Sequence, residues 1–231
     1  MLTLEGVVVR QEGFEMTADF AVETGARVAV IGPSGAGKST LLNAIAGFQK
    51  LTAGRILWDG NEINGLHPGK RPIAMLFQDN NLFPHLSVEQ NVGLGIDPGL
   101  RLDSQQKQRV REAIARVGLE GFANRKPGKL SGGQQSRAAL ARVLVQGKSL
   151  ILLDEPFAAL GPALKDEMLD LVAELAGETG ATVLMVSHDP GDAERFADQA
   201  VMVTDGRAEP PVAVVDLLAD PPEALRAYLG R

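Results

Sequence analysis

Two kinds of hydrophobic run alternate along the chain. Residues 2–9 (LTLEGVVV) and 16–22 (MTADFAV) are rich in strand formers, with polar residues between them. Residues 55–63 predict a hairpin: Arg55-Ile56-Leu57-Trp58, then Asp59-Gly60, then Asn61-Glu62-Ile63. Asp-Gly between two such runs favours a tight primed turn. These pieces predict an antiparallel sheet near the front of the chain. Four other runs are continuously apolar: 27–31 (RVAVI), 73–77 (IAMLF), 150–153 (LILL) and 182–186 (TVLMV). Strands of that kind are buried on both faces, as in a parallel sheet covered by helices. Three of them end in polar residues with chemistry, at Gln78, Asp154 and Ser187-His188, and the fourth runs into a Gly-rich loop. Open α/β sheets bind ligands at the carboxyl ends of their strands, so separate segments converge on one edge.

Between about 83 and 146 no strong strand pattern occurs, while Asp103 to Val117 and Gln134 to Val145 are helical in pattern. The expected organisation is an α/β core over 1–82 and 147–231, with an N-terminal antiparallel β-subdomain, interrupted by a helical insertion over 83–146. The tail carries Pro210-Pro211 and Pro221-Pro222, then a short helix expected around Glu223–Leu229. Neither repeats nor low-complexity tracts are present.

The 231 residues, 45% of them apolar, suffice for one α/β core with an insertion. With 23 basic and 29 acidic residues the net charge is −6. An acidic chain without a Lys/Arg run argues against nucleic acid as a partner. Any attraction for an anion must therefore be local. Cysteine is absent, which excludes disulfides, thiolate metal sites and cysteine nucleophiles. His67, His85 and His188 lie far apart and form no zinc-ligand pair. The first residues do not resemble a signal peptide, and no apolar run approaches the roughly 20 residues that span a bilayer. A cytoplasmic protein that reaches any membrane through a partner is the expectation.

That local attraction has a candidate. Gly32-Pro33-Ser34-Gly35-Ala36-Gly37-Lys38-Ser39 fits G-x-x-x-x-G-K-[ST], between an apolar strand and a helical run opened by Thr40. Glycines let successive backbone N–H groups face phosphates, and the helix N-terminus adds positive potential. Lys38 is expected at the β- and γ-phosphates and Ser39 on Mg²⁺. Leu150 to Leu153 lead into Asp154 and Glu155, neighbours whose side chains diverge on a strand. Asp154 is the candidate to hold Mg²⁺, and Glu155 the candidate base or orienter of an attacking water. An acidic turn after a core strand is the plainer alternative. Ser131-Gly132-Gly133-Gln134 opens a helical run with a capping-box pattern, either an ordinary cap or a second anion grip.

Taken in chain order, the phosphate loop, Gln78, Leu130–Gln134 (LSGGQ), Asp154-Glu155 and His188 resemble the ATPase subunits of ABC transporters. Gln134 precedes Asp154 by twenty residues, and the resemblance covers essentially the whole chain. It implies a P-loop NTPase core that binds ATP and Mg²⁺. Gln78 would touch Mg²⁺ or the water and carry the nucleotide state into the insertion, and His188 would contact the γ-phosphate. Ser131 to Gln134 would grip ATP bound by a second copy, so that a homodimer completes each site. Met75–Phe83 and Asn91–Leu100 are similar to the bacterial importer ATPases that serve thiamine uptake. That likeness implies integral membrane permease subunits, a periplasmic solute-binding protein and thiamine or its phosphate esters as cargo, at the cytoplasmic face of the inner membrane. Importers for iron(III), spermidine or molybdate commonly add a C-terminal domain, for which little chain remains here.

Three positions depart from the family pattern. Where a Tyr usually stacks on adenine, the chain offers Phe14 or Arg10. Gly161 stands where the loop after the acidic pair (Ala158-Ala159-Leu160-Gly161) usually has Asp, which predicts weaker coupling between sites or a compensating polar group nearby. Gln135-Ser136 follows the signature where a basic residue is common. Competing readings are an ABC importer ATPase for another solute, a soluble ABC ATPase of DNA repair, translation or cluster assembly, and a non-catalytic nucleotide sensor. The first of these differs from thiamine import only in cargo. The second usually needs tandem units, coiled coils or a basic face, and the third is opposed by Lys38, Asp154 and Glu155.

Overall fold

The computed structural model describes residues 1–11, 13–158, 160–222 and 225–226. Strands β1 (Leu2–Gln11) and β2 (Phe14–Val22) pair antiparallel. Leu2, Leu4, Val7 and Val9 all point into the core, although Leu4 and Val7 differ by an odd number of residues. A register shift between Leu4 and Val7 reconciles them. A bulge adds one residue and returns the apolar set to the same face. Gly6 sits there at φ 53°, and strand β4 (Ala53–Trp58) approaches so closely that a Cβ on Gly54 would lie 2.2 Å from Gly6 O. β4 turns into β5 (Asn61–Glu62) through Asp59 (φ 49°) and Gly60 (φ 76°). Both left-handed residues match the twist of the hairpin, as the Asp-Gly pair predicts.

The parallel strands are β3 (Arg27–Ile31), β6 (Ile73–Leu76), β7 (Leu150–Asp154), β8 (Thr182–Val186) and β9 (Gln199–Thr204). With β10 (Arg207–Ala208), the sheet runs β5-β4-β1-β2-β10-β9-β3-β8-β7-β6, and β11 (Val212–Ala213) pairs antiparallel with β9. This is an α/β fold with a mixed sheet.

Alternation along the parallel strands feeds two cores. Leu150, Leu152, Leu184 and Val186 pack with Leu41, Leu42 and Ile45 of helix α1 (Lys38–Ala46) and with the β1–β2 hairpin. Ile151, Leu153, Val183 and Met185 face the helices α2 (Val88–Gly93), α3 (Ser104–Arg116), α4 (Gly132–Leu144) and α5 (Pro162–Thr179). Full burial on both faces removes the need for polar alternation and explains the unbroken apolar runs. A smaller cluster of Ala29, Ile31, Ala193 and Met202 lies under α6 (Pro190–Phe196) and α7 (Val214–Ala219).

Among the described residues no strand interrupts 83–146. There α2 packs on α3 and α4, and α4 also packs on β6. Helix α3 fills the predicted span, with Asp103 as its N-cap in a reciprocal capping box with Gln106. Helix α4 begins two residues before the expected Gln134, because Ser131 caps it. Several elements lie outside the sequence expectations. β9 is a fifth parallel strand, carried by Ala200-Val201-Met202-Val203, and α5 is the longest helix among the described residues. Gly161, Pro162 and, at its far end, Gly180 (φ 64°) mark the limits of α5. The tail helix expected around Glu223–Leu229 falls mostly outside the described residues.

Candidate functional site

The loop after β3 is shaped by close backbone approach. Gly32 adopts φ 147°, and a Cβ there would sit 2.0 Å from Val203 O of β9. Gly37 (φ 107°) precedes α1, where a Cβ would meet the Phe14 ring at 2.7 Å. No described side chain caps α1, so its first N–H groups and the positive end of its dipole remain available to an anion. Lys38 is buried, its Nζ donating to Gly32 O (2.7 Å) and Pro33 O (2.8 Å). Burial lowers the pKa of this ammonium, while the Glu155 and Asp154 carboxylates pull the other way.

Asp154 ends β7 with its carboxylate buried, and Ser39 Oγ donates to Asp154 Oδ1 at 3.0 Å. Burial is the main cause that raises this carboxyl. The Ser39 hydrogen bond opposes it, the Glu155 charge adds to it, and Lys38 opposes it. Such a group favours a neighbouring cation. Glu155 takes φ 45°, a rare conformation for a side chain of its kind, and its N–H donates to Val186 O (3.2 Å). That turn leads the chain out of the strand with Glu155 facing the same cleft as Lys38. His188, in the bend after β8, brings Nδ1 to 3.6 Å from Glu155 Oε2.

A cleft of about 510 Å³ joins these groups. Ser34, Gly35, Gly37, Lys38, Ser39 and Thr40 line it together with Gln78, Glu155, Gln11 and Phe14. Phe14 therefore stands at the phosphate loop, whereas Arg10 is ion-paired with Glu15. A second hollow of about 470 Å³ shares Phe14 with it and takes in Pro33, Ala36 and Asp205. Gln11 and Asp205 carry no motif; Gln11 ends β1 opposite Phe14, Asp205 lies in the turn between β9 and β10, and the pairing of β2 with β1 and β10 brings both to the loop.

The serine-glycine segment lies elsewhere. Ser131, Gly132, Gly133 and Gln134 do not line this cleft. Ser131 Oγ accepts from Gln134 N (3.3 Å) and Ser131 N donates to Gln134 Oε1 (3.0 Å), so the capping box is formed. A Cβ on Gly133 would lie 2.3 Å from Leu164 Cδ2, so packing against α5 explains that glycine. A Cβ on Gly132 would meet no described atom within 4 Å, and none of the described residues requires glycine there. Gln135 donates to Pro127 O and Leu130 O, and Ser136 is buried against Asn80. Gly161 is the N-cap residue of α5 and offers no side chain to it; Ala159 lies outside the described residues.

The family described as ABC transporter matches residues 16–158, more than half of the chain. The chain belongs to the ABC transporter family. It is 61% identical, over the full length of both chains, to the thiamine import ATP-binding protein of Ruegeria sp. strain TM1040. The identity is 60%, again end to end, to the protein of the same description from Cereibacter sphaeroides. Among solved structures, an ATP-binding cassette in a dimeric post-hydrolysis state with ADP and Pi is 33% identical, with TM-score 0.82 over 93% of this chain and 99% of that one. The ADP conformation of another ABC transporter cassette gives TM-score 0.89 at 26% identity, over 100% and 99%. As an ABC ATPase the chain binds and hydrolyses ATP. The resemblance drawn from LSGGQ and the phosphate loop holds, as does the P-loop NTPase fold.

Proposed function

We propose that this chain energises thiamine uptake: two copies close on two ATP molecules, and their closure drives a membrane permease fed by a periplasmic thiamine-binding protein. What supports it is the end-to-end 61% identity to a thiamine import ATP-binding protein. The chain would sit on the cytoplasmic face of the inner membrane, held by the permease. No helix among the described residues is long and apolar enough to cross a membrane.

In this mechanism Gly32 to Ser39 and Thr40 wrap the triphosphate, with backbone N–H groups supplied by every residue of the loop except Pro33 and with Lys38 on the β- and γ-phosphates. Ser39, Asp154 and Gln78 offer hard oxygen donors suited to Mg²⁺. No cluster of three or more His, Cys, Asp and Glu exists among the described residues. A set with one carboxylate fits an ion that arrives with phosphate oxygens and water. Bound there, Mg²⁺ would neutralise charge on the β- and γ-oxygens. Glu155 orients the attacking water and accepts its proton, while His188 holds the γ-phosphate side of the site. The water oxygen bonds to the γ-phosphorus as the bond to the β–γ bridging oxygen breaks, releasing ADP and phosphate. Ser131 to Gln134 of the second copy complete the cage. Gln78 passes the nucleotide state to the helical insertion over 83–146, which we read as a subdomain inserted into the core of 1–82 and 147–231.

The permease would dock beside Gln78, along Asn80 to Gln90. Phe83 is 47% exposed there and packs edge-on against His85 at 6.0 Å. Phe48, 56% exposed, leans on Phe77. Large aromatic side chains this exposed are candidate partner contacts.

The test is uptake of labelled thiamine in cells lacking this chain. The wild-type chain should restore it and Lys38→Ala should not. Uptake of another solute restored in place of thiamine would overturn the cargo and leave the ATPase intact.

A further inference from the structure

His188 hangs from a bend, and the residues on both sides of it are held by one ion cluster. Ser187 Oγ donates to Asp192 Oδ2 at 2.6 Å, and Asp189 N donates to Ser187 Oγ at 3.0 Å. Lys165 of α5 reaches across with Nζ 2.5 Å from Asp189 Oδ2 and 2.6 Å from Asp192 Oδ1. The side chains of Lys165 and Asp192 are 19% and 12% exposed, so water screens this bridge less than the rim pairs elsewhere. Burial alone would lower the Lys165 ammonium, but its hydrogen bonds to Asp189 and Asp192 outweigh that and raise it. A cavity of about 60 Å³ is bounded by Lys165, Asp192, Ser187, His188 and Glu155, which sets the bridge directly behind the reacting groups.

The same helical turn faces the signature. Leu164 contacts the backbone at Gly133, and Lys165 N closes the first turn of α5 onto Gly161 O at 2.9 Å. We propose that Lys165 is a positioning residue for hydrolysis, fixing the bend that carries His188 to the first turn of α5, beside the contact with the signature tip. This rests on the function proposed above. It gives a physical link inside one chain between the histidine of its own ATP site and the tip that serves the partner's.

Purified full-length chain would be assayed for ATPase kcat, for binding of a fluorescent ATP analogue and for thermal stability. Lys165→Met should lower kcat about 10- to 100-fold, the range that small misplacements of reacting groups produce, with nucleotide affinity within about 3-fold of wild type. Lys165→Arg, which keeps the bridge to both carboxylates, should recover most of kcat. Asp192→Asn should lower kcat in the same direction by less, and it serves if Lys165→Met does not fold. Wild-type kcat in both Lys165→Met and Asp192→Asn, a parallel loss of binding and kcat, or no recovery by Lys165→Arg would overturn the proposal. A wild-type chain without ATPase activity would instead overturn the function on which it rests.

Discussion

Asn80 Nδ2 donates to the buried Ser136 Oγ at 3.2 Å, tying the segment after Gln78 to the helix that begins with the signature. Arg142, six residues further along α4, donates to Asn80 O (2.8 Å) and Asn81 O (2.7 Å). Asn80 (φ 59°) and Asn81 (φ 45°) are both left-handed, a conformation Asn tolerates better than most residues. Ser136 therefore has a role inside the chain that the sequence pattern left without an account. Ser136→Ala leaves the half-buried Asn80 amide nitrogen without this partner. It should cost about 1 kcal/mol and lower Tm by about 2–4 °C, read by thermal melts. An unchanged melt would mean that Asn80 finds another partner.

In the proposed mechanism Glu155 takes the proton of the attacking water, and its loss should separate binding from turnover. Glu155→Gln keeps the shape and hydrogen-bonding reach but not the basicity. Turnover should fall about 10²- to 10⁴-fold while ATP binding persists, measured by phosphate release and equilibrium binding. Wild-type phosphate release from that variant would remove Glu155 from the role of base.

Gly132 and Gly133 are adjacent but held by different constraints. Gly133→Ala forces Leu164 aside and should cost about 1–3 kcal/mol by overpacking. Gly132→Ala meets open space within the chain and should leave Tm unchanged or slightly raised. If the tip serves a second copy, Gly132→Ala should still weaken ATP-driven dimerisation, measured by sedimentation with a Glu155→Gln background. Equal dimerisation would place the partner's triphosphate elsewhere.

Acid should weaken the fold through two ion pairs. The Arg27 hydrogen bond holds the Asp198 carboxyl below its ordinary value, and the Lys165 hydrogen bond does the same for Asp189. In the acidic range the unfolded chain then binds more protons than the folded one. This contribution is complete above the ordinary carboxylate value of about 4 and is lost as pH falls through the depressed values. Asp198 is half-exposed, so its share is about 1 kcal/mol or less. Melts between neutral and acidic pH should show a shallower fall for Asp198→Asn than for wild type. An identical slope would show that the Arg27 pair contributes nothing.

Where a segment's own composition decided its structure, it was legible. The runs at 27–31, 150–153 and 182–186 are strands, with Asp154 completing the second. The Asp59-Gly60 hairpin forms, and Asp103 starts a helix. β9 and α5 are less legible: Ala200 to Val203 is as apolar as the other strands but ends in no residue with chemistry, and α5 carries no side-chain cap. Gln11, Asp205, Lys165 and Asn80 belong to no motif, and their positions depend on which elements meet.

The sequence by itself determined the family, through the G-x-x-x-x-G-K-S, LSGGQ and Asp154-Glu155 segments, because backbone geometry near phosphates restricts the residue types at short spacing. Tertiary structure alone decided that Phe14 rather than Arg10 stands at the loop, that Ser136 answers Asn80, and that Lys165 braces the bend of His188. Those contacts join residues from 24 to 56 positions apart or turn on which strand face a side chain takes, and only the folded sheet and its helices bring such groups within bonding distance.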